Sequence, residues 1–279
     1  MEMTIYPPAA RLQGQVAALW TLRGQTSGRY TGLPKPYAEL IFSLSGQHRW
    51  YAAPDTHALN FDHGWLTPVQ AGPRFAETSG MLDLVGARLR PDACVKMFGA
   101  ASMREPATPI PLEALLGSEA QLLRERLYHS RVPGERVRIL ADWIGRRLSS
   151  SAPARLPDEV WLNRMQWRVD ALADAMGLSP RGLHKRFVTQ FGIGPKLWLQ
   201  LGRFDAVLRA APRSRSLADL AAEMGYADQA HMAVEFQRFA GSAPGAYGRR
   251  RERAAVPGNA PHFLPGSDEV PKSTSHAWK

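Results

Sequence analysis

The sequence predicts an α+β protein of two domains. A small β-rich N-terminal domain, barrel- or sandwich-like and closed by helices, precedes an all-α C-terminal domain built from a duplicated helical pair. Three observations predict it. Apolar periodicity changes from strand-like to helical at Pro91, a Ser/Pro/Ala run breaks the chain at 149–157, and residues 172–198 repeat themselves at 220–247. The expected boundaries are 1–150 for the β-rich domain with its helical end, 151–157 for a linker, 158–253 for the helical domain and 254–279 for a tail.

The strands come first. Between Tyr37 and Arg90, short apolar runs such as Glu39–Leu44 and His48–Ala52 are separated by Gly46, Pro54-Asp55, Asn60, Gly64, Pro68 and Gly72-Pro73. Short runs at close, turn-marked spacing read as strands of a small sandwich or barrel. Leu82 and Leu84 share one strand face and Val85, Ala87 and Leu89 the other, so a bulge is expected at Gly86. After Pro91, Val137, Leu140, Ile144 and Leu148 follow the spacing of one helix face. Helices therefore close the domain.

The repeat defines the second domain. Leu172-Ala-x-x-Met-Gly177 is followed by Leu183, Phe187, Gly192, Pro195 and Trp198. Leu220-Ala-x-x-Met-Gly225 is followed by Met232, Phe236, Gly241, Pro244 and Tyr247. From each Phe onward the spacings are identical. In each copy a short helix ends at a Gly, which tolerates the left-handed conformation of a helix stop, and a second helix begins. Ser179 is a good N-cap, with Pro180 at the first helical position, where a missing N–H costs nothing. Leu183 and Phe187 face inward, as do Met232, Phe236 and Phe239, with Met165, Leu172 and Leu220 completing the two cores. A helix within Pro195 to Ala211 joins the units, and about 15 residues at 1.5 Å each span ~22 Å.

The pattern LA-x2-MG-L-S-P, the Leu and Arg-Phe that follow, G-x-x-P with an aromatic, Arg203 and Ala206 in the joining helix, and the second G-x-A-P-x2-Y resemble the DNA-binding domain of the AraC/XylS family of transcription regulators. The match covers about 160–250. The N-terminal part resembles, more weakly, the sensor region of a less-studied branch, through Leu84–Pro91, Phe98-Gly99 and Pro111-Leu112. It shows none of the arabinose regulator's sugar-binding residues, so no ligand is carried over. The resemblance implies sequence-specific binding of double-stranded DNA by two recognition helices in successive major-groove segments. Where the family commonly has Arg two positions before the second-unit Phe, this chain has Val234, followed by Glu235. The first unit is therefore expected to carry more of the base reading.

On that phase Arg181, His184 and Lys185 are expected to meet base edges, since Arg, Lys and His donate to guanine O6 and N7. In the second unit Gln229 can pair with adenine and His231 can donate, while Ala230 offers no hydrogen-bonding group. Arg186, Arg238, Arg249 and Arg250 are expected on phosphates, which set register without specifying sequence. Arg203 is expected to brace the two units internally.

Composition agrees and narrows the alternatives. The 279 residues carry a net charge of +10, and residues 156–253 hold 15 Lys+Arg against 10 Asp+Glu, compared with 18 against 13 in the longer segment 1–155. A basic balance favours a polyanionic partner. The start, MEMTIYPPAA, lacks a basic segment leading into an apolar run, and no apolar stretch reaches membrane-spanning length, so a cytoplasmic protein is expected. The tail from Ala254, rich in Pro and Gly, reads as disordered.

Two other classes fit the sequence less well. A cupin-like metal enzyme would need His48, His57 and His63 to converge, but the compact H-x-H cluster with a following Glu is absent. An alkyl-accepting repair protein would need a reactive Cys94, yet the chain has one cysteine, in a helical segment that suits a small buried residue. Trp20, Tyr37, Trp50, Tyr51 and Trp65 read mostly as core, although they could line a small-molecule pocket. No Walker-type loop, Ser-His-Asp spacing or paired carboxylates stand out. A non-enzymatic regulator without metal or cofactor is expected, with an unidentified small-molecule effector and a second copy of the chain as further partners.

Overall fold

A computed structural model describes residues 1–51, 56–103, 108–149, 168–211, 214, 216–253 and 263–265. The N-terminal part is an antiparallel sheet of β1 (Glu2–Tyr6), β2 (Val16–Gly32), β3 (Ala38–Tyr51), β4 (Leu59–Asn60), β5 (Gly64–Thr67), β6 (Arg74–Leu89), β7 (Ile110–Pro111) and β8 (Phe263–Pro265). The strand order is β1-β2-β6-β3-β5-β7, with β4 added to β3 and β8 to β2. Helices α1 (Pro91–Phe98), α2 (Leu112–Leu116), α3 (Ser118–His129) and α4 (Pro133–Ser149) follow β6 and close the domain.

Strict alternation places apolar residues on both faces of this sheet. Leu19, Leu40, Phe42, Val85, Ala87 and Leu89 belong to the large core shared with the helices. Trp20, Ile41, Trp50, Trp65 and Leu84 form a second cluster on the opposite face. Two buried faces remove the need for a bulge at Gly86. The register runs unbroken there, with Gly86 opposite Trp20 on one side and Ile41 on the other, and the shifts fall at Val16/Ala18 and between Ser43 and Gln47. Gly86 is instead a space requirement, because a Cβ there would lie 2.4 Å from the Trp20 ring.

The expected helix face holds, with Val137, Leu140, Ile144 and Leu148 all buried. Arg136 of α4 reaches the sheet, donating to Asp83 at 2.7 Å and to the Leu127 carbonyl at 3.0 Å.

The strands differ from expectation in length and number. β2 and β6 run 17 and 16 residues, and β1 and all of β2 precede Tyr37, where the apolar runs begin. The half of β2 from Arg23 to Gly32 has no apolar alternation to betray it; its continuous ladder with β6 defines it. In the tail, Phe263–Pro265 pair with Tyr30–Gly32, so the expectation of disorder fails at those three residues. The 151–157 linker, Met165 and the remainder of the tail lie outside the described residues.

The C-terminal part is helical: α5 (Val169–Ala175), α6 (Pro180–Phe191), α7 (Pro195–Ala210), α8 (Leu217–Glu223), α9 (Gln229–Ala240) and α10 (Pro244–Arg253). Its buried residues are continuous with the larger sheet-and-helix core, and α6 lies against α1 and the turn at 100–103.

Candidate nucleic-acid interface

Each unit is a short helix, a turn and a longer helix. The turns need backbone that L side chains avoid: Gly177 and Gly225, equivalent in the repeat, have φ of +62° and +74°. The second helices are then started by side-chain caps. Ser179 Oγ accepts from the Gly182 N–H at 3.2 Å, and Asp228 Oδ1 accepts from the His231 N–H at 2.7 Å.

Inward residues lock the phase. Leu172, Leu183 and Phe187 are buried, and Phe187 meets Phe191 edge-on at 5.0 Å and Trp198 at 5.6 Å. Leu220, Met232, Phe236 and Phe239 are buried in the second unit, where Phe204 packs at 5.1 Å from Phe236 and 5.2 Å from Phe239. Trp198 and Phe204 both belong to α7. That helix is therefore a shared part of both cores, and its 16 residues fix the spacing of the units at about 24 Å of helix length.

The opposite faces of α6 and α9 are open. Arg181, His184 and Lys185 are exposed on α6 together with Val188, and Gln229, Ala230, His231 and Val234 are exposed on α9. His184 rests near Gly194, where a Cβ would come 3.3 Å from its ring, and His231 stands perpendicular to the Tyr226 ring at 5.4 Å. Arg186, half-buried, donates to Gln190 at 3.2 Å. Arg238 is exposed beside the Phe239 ring, and Arg249 is exposed on α10. The side chain of Arg250 lies outside the described residues.

Arg203 takes a bracing position. Its guanidinium makes two hydrogen bonds to Glu235, at 3.2 and 2.9 Å, and lies 4.5 Å from the Tyr226 ring centroid. Gln200 and the Tyr226 hydroxyl donate to the same carboxylate at 3.0 and 2.6 Å. Glu235, which the sequence marks only as the neighbour of the unusual Val234, is thus the buried acceptor that ties α7 to α9. Its spacing from Met232 and Phe239 was the available signal, since both neighbours face inward.

The two domains also meet through side chains. Trp198 Nε1 donates to the Pro36 carbonyl at 3.3 Å, and the Tyr37 hydroxyl lies 3.5 Å from Asp205, which also accepts from Arg209 at 2.9 Å. Tyr37 is thereby a contact between domains and not a core residue of the sheet.

The residues weighed for other chemistries are placed apart from these faces. Cys94 is fully buried, and burial pushes its thiol up to about 12, so it is not a thiolate at neutral pH. His48 is buried against Trp65, whereas His57 and His63 are exposed, His63 lying 3.2 Å from Glu113. Among the described residues no group of three His, Cys, Asp or Glu side chains is placed to hold a metal ion. No helix among them is long and apolar enough to cross a membrane.

Residues 172–250 match the family profile described as a helix-turn-helix domain, and residues 4–106 match a domain of unknown function, DUF6597. No curated protein matches the chain. Among solved structures, ToxT from Vibrio cholerae is similar at 10% identity and a TM-score of 0.46, over 82% of this chain and 96% of that one. The unsaturated fatty acid-bound form of ToxT from Vibrio cholerae gives 9% identity and 0.45, over 81% and 92%. The AraC-like transcriptional activator CuxR gives 12% and 0.29, over 66% and 79%.

Proposed function

We propose that this chain, whose helix-turn-helix domain resembles that of the AraC/XylS family of transcription regulators, reads DNA by a mode in which α6 and α9 enter successive major-groove segments on one face of the duplex. The observation that carries it is the sharing of α7 by both hydrophobic cores, which holds two exposed helix faces at a fixed separation. Helix widths added to about 24 Å of α7 bring the two faces to roughly one DNA turn, ~34 Å apart. Arg181, His184, Lys185, Gln229 and His231 are the base readers in this mode, and Arg186, Arg238, Arg249 and Arg250 hold phosphates. The DNA-binding unit is residues 158–253, and the protein acts by binding, without a catalytic step. Selecting bound duplexes from a random pool tests it: two short preferred blocks about 10 base pairs apart are expected, and a single block would overturn the two-helix mode.

Residues 1–150 act in the same reading as a sensor for a small effector. Support comes from the contacts of Pro36 and Tyr37 with Trp198 and Asp205, which connect the sheet domain to the helix that spaces the readers. Exposed Leu122, Tyr128 and Val132, on and just after α3, support self-association of this domain, which sedimentation of the full chain checks.

A further inference from the structure

The two recognition helices can be compared position by position. Each has 12 residues, Pro180–Phe191 and Gln229–Ala240, and each starts one residue after its capping side chain. Phe236 follows Phe187 by 49 positions, as Asp228 follows Ser179. The same offset sets Ala230 against Arg181 and Val234 against Lys185. Two cationic positions of α6 are thus apolar on α9. Neither side chain has turned inward to join the core. Ala230 is exposed, and Val234, at 71%, is more exposed than any other large hydrophobic among the described residues. Met232, Glu235 and Phe236 around it are buried, so the phase of α9 is fixed.

A lone exposed valine is ordinary. Its place on the helix is not, because in the proposed mode this face enters the major groove and displaces water there. The floor of that groove is lined by hydrogen-bond donors and acceptors with one apolar group among them, the C5-methyl of thymine. Cytosine lacks it. Against a purine edge, valine would strip water from N7, O6 or N6 and put no hydrogen bond in its place. Ala230 and Val234 stand four residues apart, about 6 Å along the helix. Base pairs stack at ~3.4 Å, so the two side chains reach groups one or two base steps apart. The polar neighbours agree with such a target. Gln229 and Gln237 are exposed beside the apolar pair, and an amide pairs with adenine N6 and N7, the partner of each thymine on the opposite strand.

We propose that α9 reads the C5-methyl edge of thymine, with Val234 and Ala230 each covering one methyl group inside a short block of A·T pairs. The assignment rests on the mode in which both helices enter the groove and names what the second one recognises. The units then divide the chemistry of the DNA site: α6 donates to guanine and α9 covers thymine. Recognition by a methyl group also makes the α9 block responsive to cytosine methylation, since 5-methylcytosine carries its methyl at the same ring position.

The test uses the full chain and duplexes selected from a random pool. The block whose preference Arg181→Ala relaxes belongs to α6, and the other to α9. Each thymine of the α9 block is replaced in turn by deoxyuridine, which deletes the methyl group and keeps every hydrogen bond. Binding is expected to weaken about fourfold at one or two positions, what burial of one methyl-sized group is worth. Val234→Ala is expected to reduce that ratio below twofold at one of them, in a protein that melts like the parent. At the same position 5-methylcytosine is expected to bind the parent more tightly than cytosine. Two selected blocks with no deoxyuridine effect in the second would overturn the methyl reading and leave the two-helix mode standing. So would a methyl effect that Val234→Ala leaves intact at every position, or no gain from 5-methylcytosine over cytosine. A single selected block would overturn both.

Discussion

The two helix-turn-helix units share one pattern of apolar residues and differ in where their charge goes. In the first, a neutral cap, Ser179, opens a helix whose exposed face carries Arg181, His184 and Lys185. In the second, an acidic cap, Asp228, opens a helix whose exposed face is Gln229, Ala230, His231 and Val234, and the charged partner sits underneath as Glu235, bonded to Arg203, Gln200 and Tyr226. Duplication kept the scaffold, because both cores must pack on one α7. The chemistry around each scaffold was free to diverge. The first unit spends its cations on the outside, where a polyanion can meet them, and the second places its principal ion pair where it fixes the angle between α7 and α9.

The sharpest way to break this contrast is to remove the pieces that hold each unit. Phe187→Ala empties a fully buried site in the first unit and is expected to cost about 3–5 kcal/mol. Glu235→Ala leaves the Arg203 guanidinium largely buried without its acceptor, and roughly 3–5 kcal/mol is expected there too. The two losses differ in kind. Replacing both Arg203 and Glu235 with Met should recover most of the stability of the second unit, since a buried ion pair exchanged for apolar groups of similar volume is often neutral. Denaturant melts of the three variants check this. A double variant as unstable as Glu235→Ala would show that the hub acts through something other than the pair.

A second comparison separates reading from holding within the first unit. Arg181 lies at the start of α6, the end that enters the groove in the proposed mode, whereas Arg186 lies a turn further on, beside Gln190. Arg181→Ala is expected to cost about 1–3 kcal/mol on a selected site and to relax preference at one or two base pairs. Arg186→Ala is expected to weaken selected and random duplexes alike and to flatten the slope of log affinity against log salt by about 1. Titrations on both duplexes at several salt concentrations measure it. Equal losses on both duplexes for Arg181→Ala would move the base-reading face of α6 elsewhere.

What the sequence disclosed follows the same division between scaffold and chemistry. The repeat was legible because each apolar position recurs at a helical spacing, and one aromatic per unit, Phe187 or Phe236, anchors the phase of everything around it. The β-rich class was legible from β3 to β6, where apolar runs alternate with turn residues. β1 and β2 were not, because Arg23–Gly32 carries almost no apolar signal and is defined by pairing with a strand some fifty residues away. The expected bulge at Gly86 came from assuming one buried sheet face; with both buried, Leu84 and Val85 point to opposite cores with no change of register. The polar side of the second cluster was hidden for a related reason. Trp20, Trp50 and Trp65 alternate as core residues do, and only the three-dimensional arrangement reveals their N–H groups without partners.

The smallest effect concerns the caps. Ser179 and Asp228 do the same hydrogen-bonding work, yet Asp228 adds a negative charge at the end of α9 that approaches the phosphates in the proposed mode. Asn caps about as well as Asp, so Asp228→Asn keeps the bond to the His231 N–H and removes the charge. Part of the favourable interaction between that charge and the helix dipole is lost, a stability cost of about 0.3–1 kcal/mol. Binding should move the other way. A repulsion between an exposed carboxylate and nearby phosphates is worth about 0.2–1 kcal/mol, so affinity for random DNA is expected to rise up to about fivefold at low salt and to return toward the parent value as salt screens the contact. Ser179→Asp is the reciprocal change, expected to lower affinity by a similar factor while leaving the first unit capped. If neither substitution alters affinity at low salt, the N-termini of α6 and α9 do not face the duplex, and the difference in charge between the two units serves stability alone.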